Sequence, residues 1–135
     1  MKTFLTLLLT LSNAFASQRA DVIVVSANPA GVAAAVAAAK SGAKVIVLEE
    51  SAHVGGIIAG GLTNTDIRKH GAVGGLYNDF KRRIVEHYTT TYGADSKQLK
   101  VCKDGNRFEA RIAEKVFRDM LAAEKNITLL QRHRV

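Results

Sequence analysis

The chain has 135 residues, 47% of them apolar and 23% charged, with one Cys, one Pro and no Trp. That length suits one small globular domain, and the composition excludes a disulfide-stapled miniprotein, a collagen-like repeat and a disordered polyelectrolyte. Nineteen Lys and Arg against twelve Asp and Glu leave a net charge of +7.

The N-terminus reads as an export signal. Met1-Lys2 supplies a positive end, Phe4 to Leu11 (FLTLLLTL) an apolar run, and Ala14-Phe15-Ala16 a small-residue cleavage site. Cleavage is expected near Ala16, giving an exported protein, periplasmic or extracellular, whose mature chain starts at Ser17. The run is too short for a membrane anchor, since a spanning helix needs about 20 apolar residues. No Arg pair precedes it, so the general secretion route is expected and a cofactor would be acquired after an unfolded crossing. Cys102 is the only cysteine and has no intrachain partner, and it reads as a bystander.

Val22 to Val25 is an unbroken apolar run of the kind found in strands covered on both faces. Asn28-Pro29 then opens a helix, because Asn can cap free amides and Pro suits the first turn. Ala30 to Lys40 is almost pure Ala and Val, apolar on every side, and is expected to lie between layers close to a sheet. Ser41-Gly42 ends it. Ala43 to Leu48 is a second buried strand, closing on Glu49-Glu50. Together these form a parallel βαβ unit of about thirty residues.

A glycine-rich stretch follows, with pairs at 55–56, 60–61 and 74–75. Leu76, Phe80 and Ile84 recur at i, i+4, i+8 and predict an amphipathic helix from about Leu76 to Tyr88. Residues 89–107 are polar and are expected to be an exposed loop. The next helix has Ile112, Val116 and Met120 on one face, with Ala113, Phe117 and Leu121 beside them. Glu114–Arg118 and Lys115–Asp119 form i, i+4 pairs on its other side. Ile127 to Leu130 is a third strand. The excess positive charge of the mature chain lies entirely after Leu62. Without interleaved aromatics or a reader motif it predicts a solvated surface, not a nucleic-acid interface.

The segment that carries chemistry is the turn Ser26-Ala27-Asn28-Pro29-Ala30-Gly31 between the first strand and its helix. It stands where a G-x-G-x-x-G fingerprint would bring backbone amides and a helix N-terminus to a pyrophosphate. Only the third glycine, Gly31, is present. Downstream spacing adds weight: Glu49 lies 23 residues after Ser26, where an acidic side chain accepts from a ribose, and Gly55-Gly56 completes an E-x5-G-G pattern.

With these features the sequence resembles the FAD-dependent oxidoreductases of the glutathione-reductase-like type, in particular an exported bacterial group. The resemblance runs from Asp21 to Val135. It includes His53-Val54-Gly55-Gly56, the segments at 59–66 (AGGLTNTD) and 72–80 (AVGGLYNDF), Phe108-Glu109, and Ala113 to Leu121 (AEKVFRDML). It implies an α/β fold, a Rossmann-like βαβ unit opening a parallel-sheet FAD-binding domain that is incomplete at the C-terminus. It implies that amides around Ala27 to Gly31 face the FAD pyrophosphate, that Glu49 binds the adenosine ribose, and that Glu50 lies near the adenine. Gly55 and Gly56 would let the backbone pass close to the cofactor, and Val135 would meet the adenine through main-chain atoms. Ser26 and Asn28 depart from the glycines that such proteins usually carry.

No catalytic residue is assigned. Asp66, Arg68 and His70 share a loop and read as loop polars, and His53, His87 and His133 are scattered without metal-ligand spacing. No G-x-S-x-G elbow occurs, although flavin chemistry needs no protein nucleophile. Asn126-Ile127-Thr128 matches a glycosylation triplet of a kind frequent by chance. The expected function is the N-terminal FAD-binding portion of an oxidoreductase passing electrons or hydride to or from a small molecule. A truncated non-catalytic remnant and an NAD-type binding module are the alternatives.

Overall fold

The computed structural model describes residues 18–135; the expected export signal, residues 1–16, lies outside the described residues. Strand β1 is Val22–Val25, helix α1 Pro29–Lys40 and strand β2 Val45–Glu49. Then come a short helix α2 (Gly56–Ala59), a single 3-10 turn at 70–72, helices α3 (Leu76–Tyr92), α4 (Lys97–Cys102) and α5 (Ala110–Ala122), and strand β3 (Ile127–Gln131). The three strands are parallel in the order β1-β2-β3, with Val22 opposite Val45 and Val45 opposite Ile127. This is the expected α/β architecture, with a βαβ unit at its head.

Helix α1 starts as its sequence dictates. Asn28 is extended and its side chain accepts from the Gly31 N–H, while Pro29 fills the first helical position. Val22, Val24, Val45, Val47, Ile127 and Leu129 pack against the helical core, in which Val32, Ala35, Val36 and Ala39 of α1 are buried. The opposite face of β1 is open, with Ile23 61% and Val25 64% exposed. So β1 is covered on one face and not on both, and α1 likewise leaves Ala34 and Ala37 exposed. The unbroken apolar runs signalled parallel strands correctly, but among the described residues the helical layer lies on one side of the sheet.

Helix α5 supplies the second half of the core. Ile112, Ala113, Val116, Phe117, Met120 and Leu121 are all buried, the two stripes that its periodicity marks. Phe117 stacks on Phe80 of α3 at 4.6 Å between ring centroids, and Phe108 meets Phe80 edge-on at 5.4 Å. Three expected boundaries need correction. Helix α3 runs to Tyr92, four residues beyond Tyr88, and stops at Gly93, whose φ is +92°. Residues 97–102, expected as exposed loop, form α4, capped by the Ser96 side chain accepting from the Leu99 N–H. Strand β2 begins at Val45 and includes Glu49. The α4 signal was hidden because six residues, fewer than two turns, carry too little periodicity to register.

Cys102 ends α4 with only 2% of its surface exposed, and burial pushes its thiol above the ordinary value. A protonated, enclosed thiol is unreactive, in keeping with a bystander role.

Asn126 has a structural part that the sequence did not announce. Its side-chain Nδ2 donates to the carbonyls of Ala39 (3.0 Å) and Ala43 (2.5 Å), and its main-chain carbonyl accepts from Val45 N–H at 2.9 Å. This one residue therefore ties the end of α1 and the loop before β2, through its side chain, and Val45 of β2, through its main chain, to the start of β3. The nitrogen that a glycan would require is already engaged. Asn126→Ala leaves both carbonyls without this donor and is expected to cost about 2 kcal/mol, read as a lower urea midpoint with unchanged slope.

Candidate functional site

At the C-terminal ends of the three parallel strands lies a cleft of about 560 Å³, lined by Val25, Ser26, Leu48, Glu49, Glu50, His133, Arg134 and Val135. This end of an open parallel sheet is where ligands of α/β proteins bind. The chain reaches it three times, at the turn after β1, the end of β2 and the segment after β3. The last two are joined by main-chain bonds, from Arg132 N–H to Ser51 O (3.2 Å) and from His133 N–H to Glu49 O (3.0 Å). An ion pair between Arg134 and Glu50 joins the two segments by their side chains. Ser26, Glu49, Glu50 and Val135, singled out in separate parts of the sequence, thus share one cavity.

Glu49 is the centre of this arrangement. It is 9% exposed, and every partner it has is a donor. Oε2 accepts from Ala27 N–H at 2.8 Å, and Oε1 accepts from Ser51 N–H (2.9 Å) and Ser51 Oγ (2.8 Å). Burial raises its pKa, but the amides of Ser51 and Ala27 and the hydroxyls of Ser51 and Ser26 together hold it below the usual carboxylate value. The group is therefore ionised at neutral pH. It is a strong acceptor lining the cleft, suited to a vicinal diol.

The turn between β1 and α1 is tight. Ser26 adopts φ +77°, a left-handed conformation usually left to glycine, and its N–H donates to Leu48 O at 2.7 Å. At Gly31 the helix lies close to the turn: a Cβ there would lie 2.0 Å from the Ser26 carbonyl oxygen. The third glycine of the fingerprint is thus required by helix-to-strand contact.

The two downstream glycines serve different neighbours. A Cβ on Gly55, whose φ is +102°, would sit 2.5 Å from the Phe117 ring, so this position is small for the sake of the core. A Cβ on Gly56 would sit 3.1 Å from the Cβ of Asn28, so this one lies against the turn. The Gly55 N–H donates to Ala27 O at 2.8 Å and joins the two segments directly.

A brace behind this loop was not legible in the sequence. Glu114 of α5 accepts from Arg118 and from the Val54 N–H, and its Oε2 lies 3.1 Å from His53 Nδ1. The other His53 ring nitrogen lies 3.2 Å from Gly56 O. Arg118 also donates to Ala52 O (2.7 Å) and to Gln131 (3.0 Å). His53 and Glu114 are 61 residues apart, so no local pattern could pair them. Asp66 and Arg68 are exposed in their loop and His133 is exposed beside the cleft. Among the described residues no cluster of three or more His, Cys, Asp or Glu could hold a metal ion.

The cleft, the ionised acceptor within it and the helix N-terminus beside it fit the adenosine and pyrophosphate half of a dinucleotide. Residues 21–135 match the profile of the family described as FAD dependent oxidoreductase. Over 102 residues, 70% of this chain, the sequence is 33% identical to digeranylgeranylglycerophospholipid reductase 2 of Methanopyrus kandleri, of which the match covers 24%. Among solved structures, THI4 of Thermovibrio ammonificans aligns with 83% of this chain and 38% of its own at 17% identity and a TM-score of 0.45. The HOCl-induced flavoprotein disulfide reductase RclA from Escherichia coli aligns with 82% of this chain and 21% of its own, at 17% identity and a TM-score of 0.41. The chain thus spans well under half the length of each of these proteins.

Proposed function

The chain belongs to the FAD-dependent oxidoreductase family, and we propose that its part in such an enzyme is to hold the adenosine and pyrophosphate of FAD. The observation that carries this is Glu49, ionised and nine-tenths enclosed, in the lining of a cleft built from three separate strand ends. Glu49 accepts from the ribose hydroxyls, and Glu50 and the main chain at Val135 border the adenine. The turn from Ala27 to Gly31 and the N-terminus of α1 face the pyrophosphate, with Ser26, Asn28 and Pro29 shaping that turn and Gly55 and Gly56 backing it. FAD, when bound, supplies the two-electron redox chemistry; the protein groups bind and orient it.

The wider reading is an oxidoreductase of the glutathione-reductase-like type, exported after cleavage near Ala16, that passes electrons or hydride to or from a small molecule. The apolar run FLTLLLTL followed by Ala14-Phe15-Ala16 supports export. No helix among the described residues is long and apolar enough to cross a membrane.

Titration of the purified chain with FAD, followed by flavin fluorescence, tests the binding role. Saturable quenching is expected, with ADP competing and riboflavin not, because the groups assigned contact only the adenosine and pyrophosphate. Absence of saturation at high micromolar FAD overturns the proposal, and tighter binding of NAD than of FAD replaces it with the NAD-type module.

A further inference from the structure

The turn that faces the pyrophosphate already has most of its donors occupied. Ala27 N–H is held by Glu49 Oε2 (2.8 Å), Asn28 N–H by Ser26 Oγ (3.3 Å), and Pro29 has none to give. Gly31 N–H, in the first turn of α1 where amides point out of the helix, is taken at 2.9 Å by Asn28 Oδ1. With glycine at position 28 that amide would have no side-chain acceptor and would be free for a phosphate oxygen. Here the Asn28 side chain stands in the place of the anion.

We propose that Asn28 sets the FAD affinity by competing with the pyrophosphate for the Gly31 N–H, so that cofactor binding displaces its side chain from the cap. This rests on the cofactor assignment above and refines it at one residue. The free protein keeps its α1 N-terminus satisfied by a neutral oxygen. The bound protein exchanges that oxygen for a charged one, which makes the stronger hydrogen bond. The cap is lost on binding, so its worth is subtracted from the affinity. Removing the Oδ1 weakens the free state and leaves the complex unchanged.

Asn28→Ala keeps the Cβ that lies near Gly56 and removes the side-chain amide that makes the cap. It is expected to bind FAD about three- to tenfold more tightly than the wild type, the span set by an ordinary N-cap. Its melting temperature without FAD falls below that of the wild type, and the gap closes when both are saturated with FAD. Asn28→Asp keeps the cap and adds a negative charge, so it is stable alone and binds FAD about tenfold more weakly. In wild-type protein the Gly31 amide resonance shifts on adding FAD. If Asn28→Ala binds FAD as the wild type does or more weakly, or if the Gly31 resonance stays put while FAD binds, the competition is refuted and the cofactor assignment stands. If wild type and both variants all fail to bind FAD, the cofactor assignment itself falls, and this inference with it.

Discussion

Gly31→Ala is expected to destabilise the protein by about 3 kcal/mol or more, the upper end of what overpacking costs. The new Cβ would lie 2.0 Å from the carbonyl oxygen of Ser26 and 3.3 Å from Val24 Cγ1. The oxygen belongs to backbone already fixed by the bond from Ser26 N–H to Leu48 O, so α1 has to lift away from the sheet. Lifting α1 loosens Val32, Ala35 and Val36, all of which are buried with at most 2% of their surface exposed. Since a domain of this size is stable by only about 5–15 kcal/mol, the urea midpoint should fall by a large fraction of its value. FAD binding should drop at least about tenfold, because the helix N-terminus is displaced along with the helix. A midpoint equal to that of the wild type would show that the contact between α1 and β1 is not as close as described.

The second large effect belongs to Glu49→Gln, which preserves shape and removes charge. All partners of Glu49 donate, Ala27 N–H to one oxygen and Ser51 N–H to the other. Whichever way the glutamine amide is turned, its NH2 faces a main-chain N–H. One buried donor is left unmet, at a cost of about 1–3 kcal/mol. FAD affinity is expected to fall at least about tenfold, because the ribose loses an ionised acceptor.

The variant also predicts a pH dependence with a definite sign. The carboxyl of Glu49 is held below its ordinary 4.5 in the folded protein. Its ionised form therefore stabilises the fold fully above that value, and the contribution is lost as pH falls through the lower, folded one. The stability gap between wild type and Glu49→Gln should be widest near neutrality and narrow below about pH 4.5. Denaturant midpoints measured across that range read it directly, and a gap that widens on acidification would contradict the assignment of Glu49 as the ionised acceptor.

Legibility differed from element to element for physical reasons. Helix α1 was readable to the residue because capping is local: Asn28, Pro29 and the apolar run lie within one turn of what they control. Helix α5 was readable because thirteen residues give its two apolar stripes several repeats. The four-residue helix α2 and the six-residue α4 were not, because neither is long enough to show a period. The exposed face of β1 was misjudged because an apolar run reports that a strand can be buried and not how many layers cover it.

The sequence by itself determined the parallel α/β fold, the capped turn between β1 and α1, and the places of Ser26, Glu49 and Gly31, since each depends on neighbours within one supersecondary unit. The resemblance that its motifs carry implied FAD, in agreement with the family match over residues 21–135. Only the tertiary structure decided what those residues do to one another. Glu49 receives Ala27 from 22 residues away, Gly55 is small because Phe117 of a distant helix needs the space, and His53 is braced by Glu114. Contacts between residues far apart in the chain form when packing closes the loops between them, and local pattern carries no record of that closure.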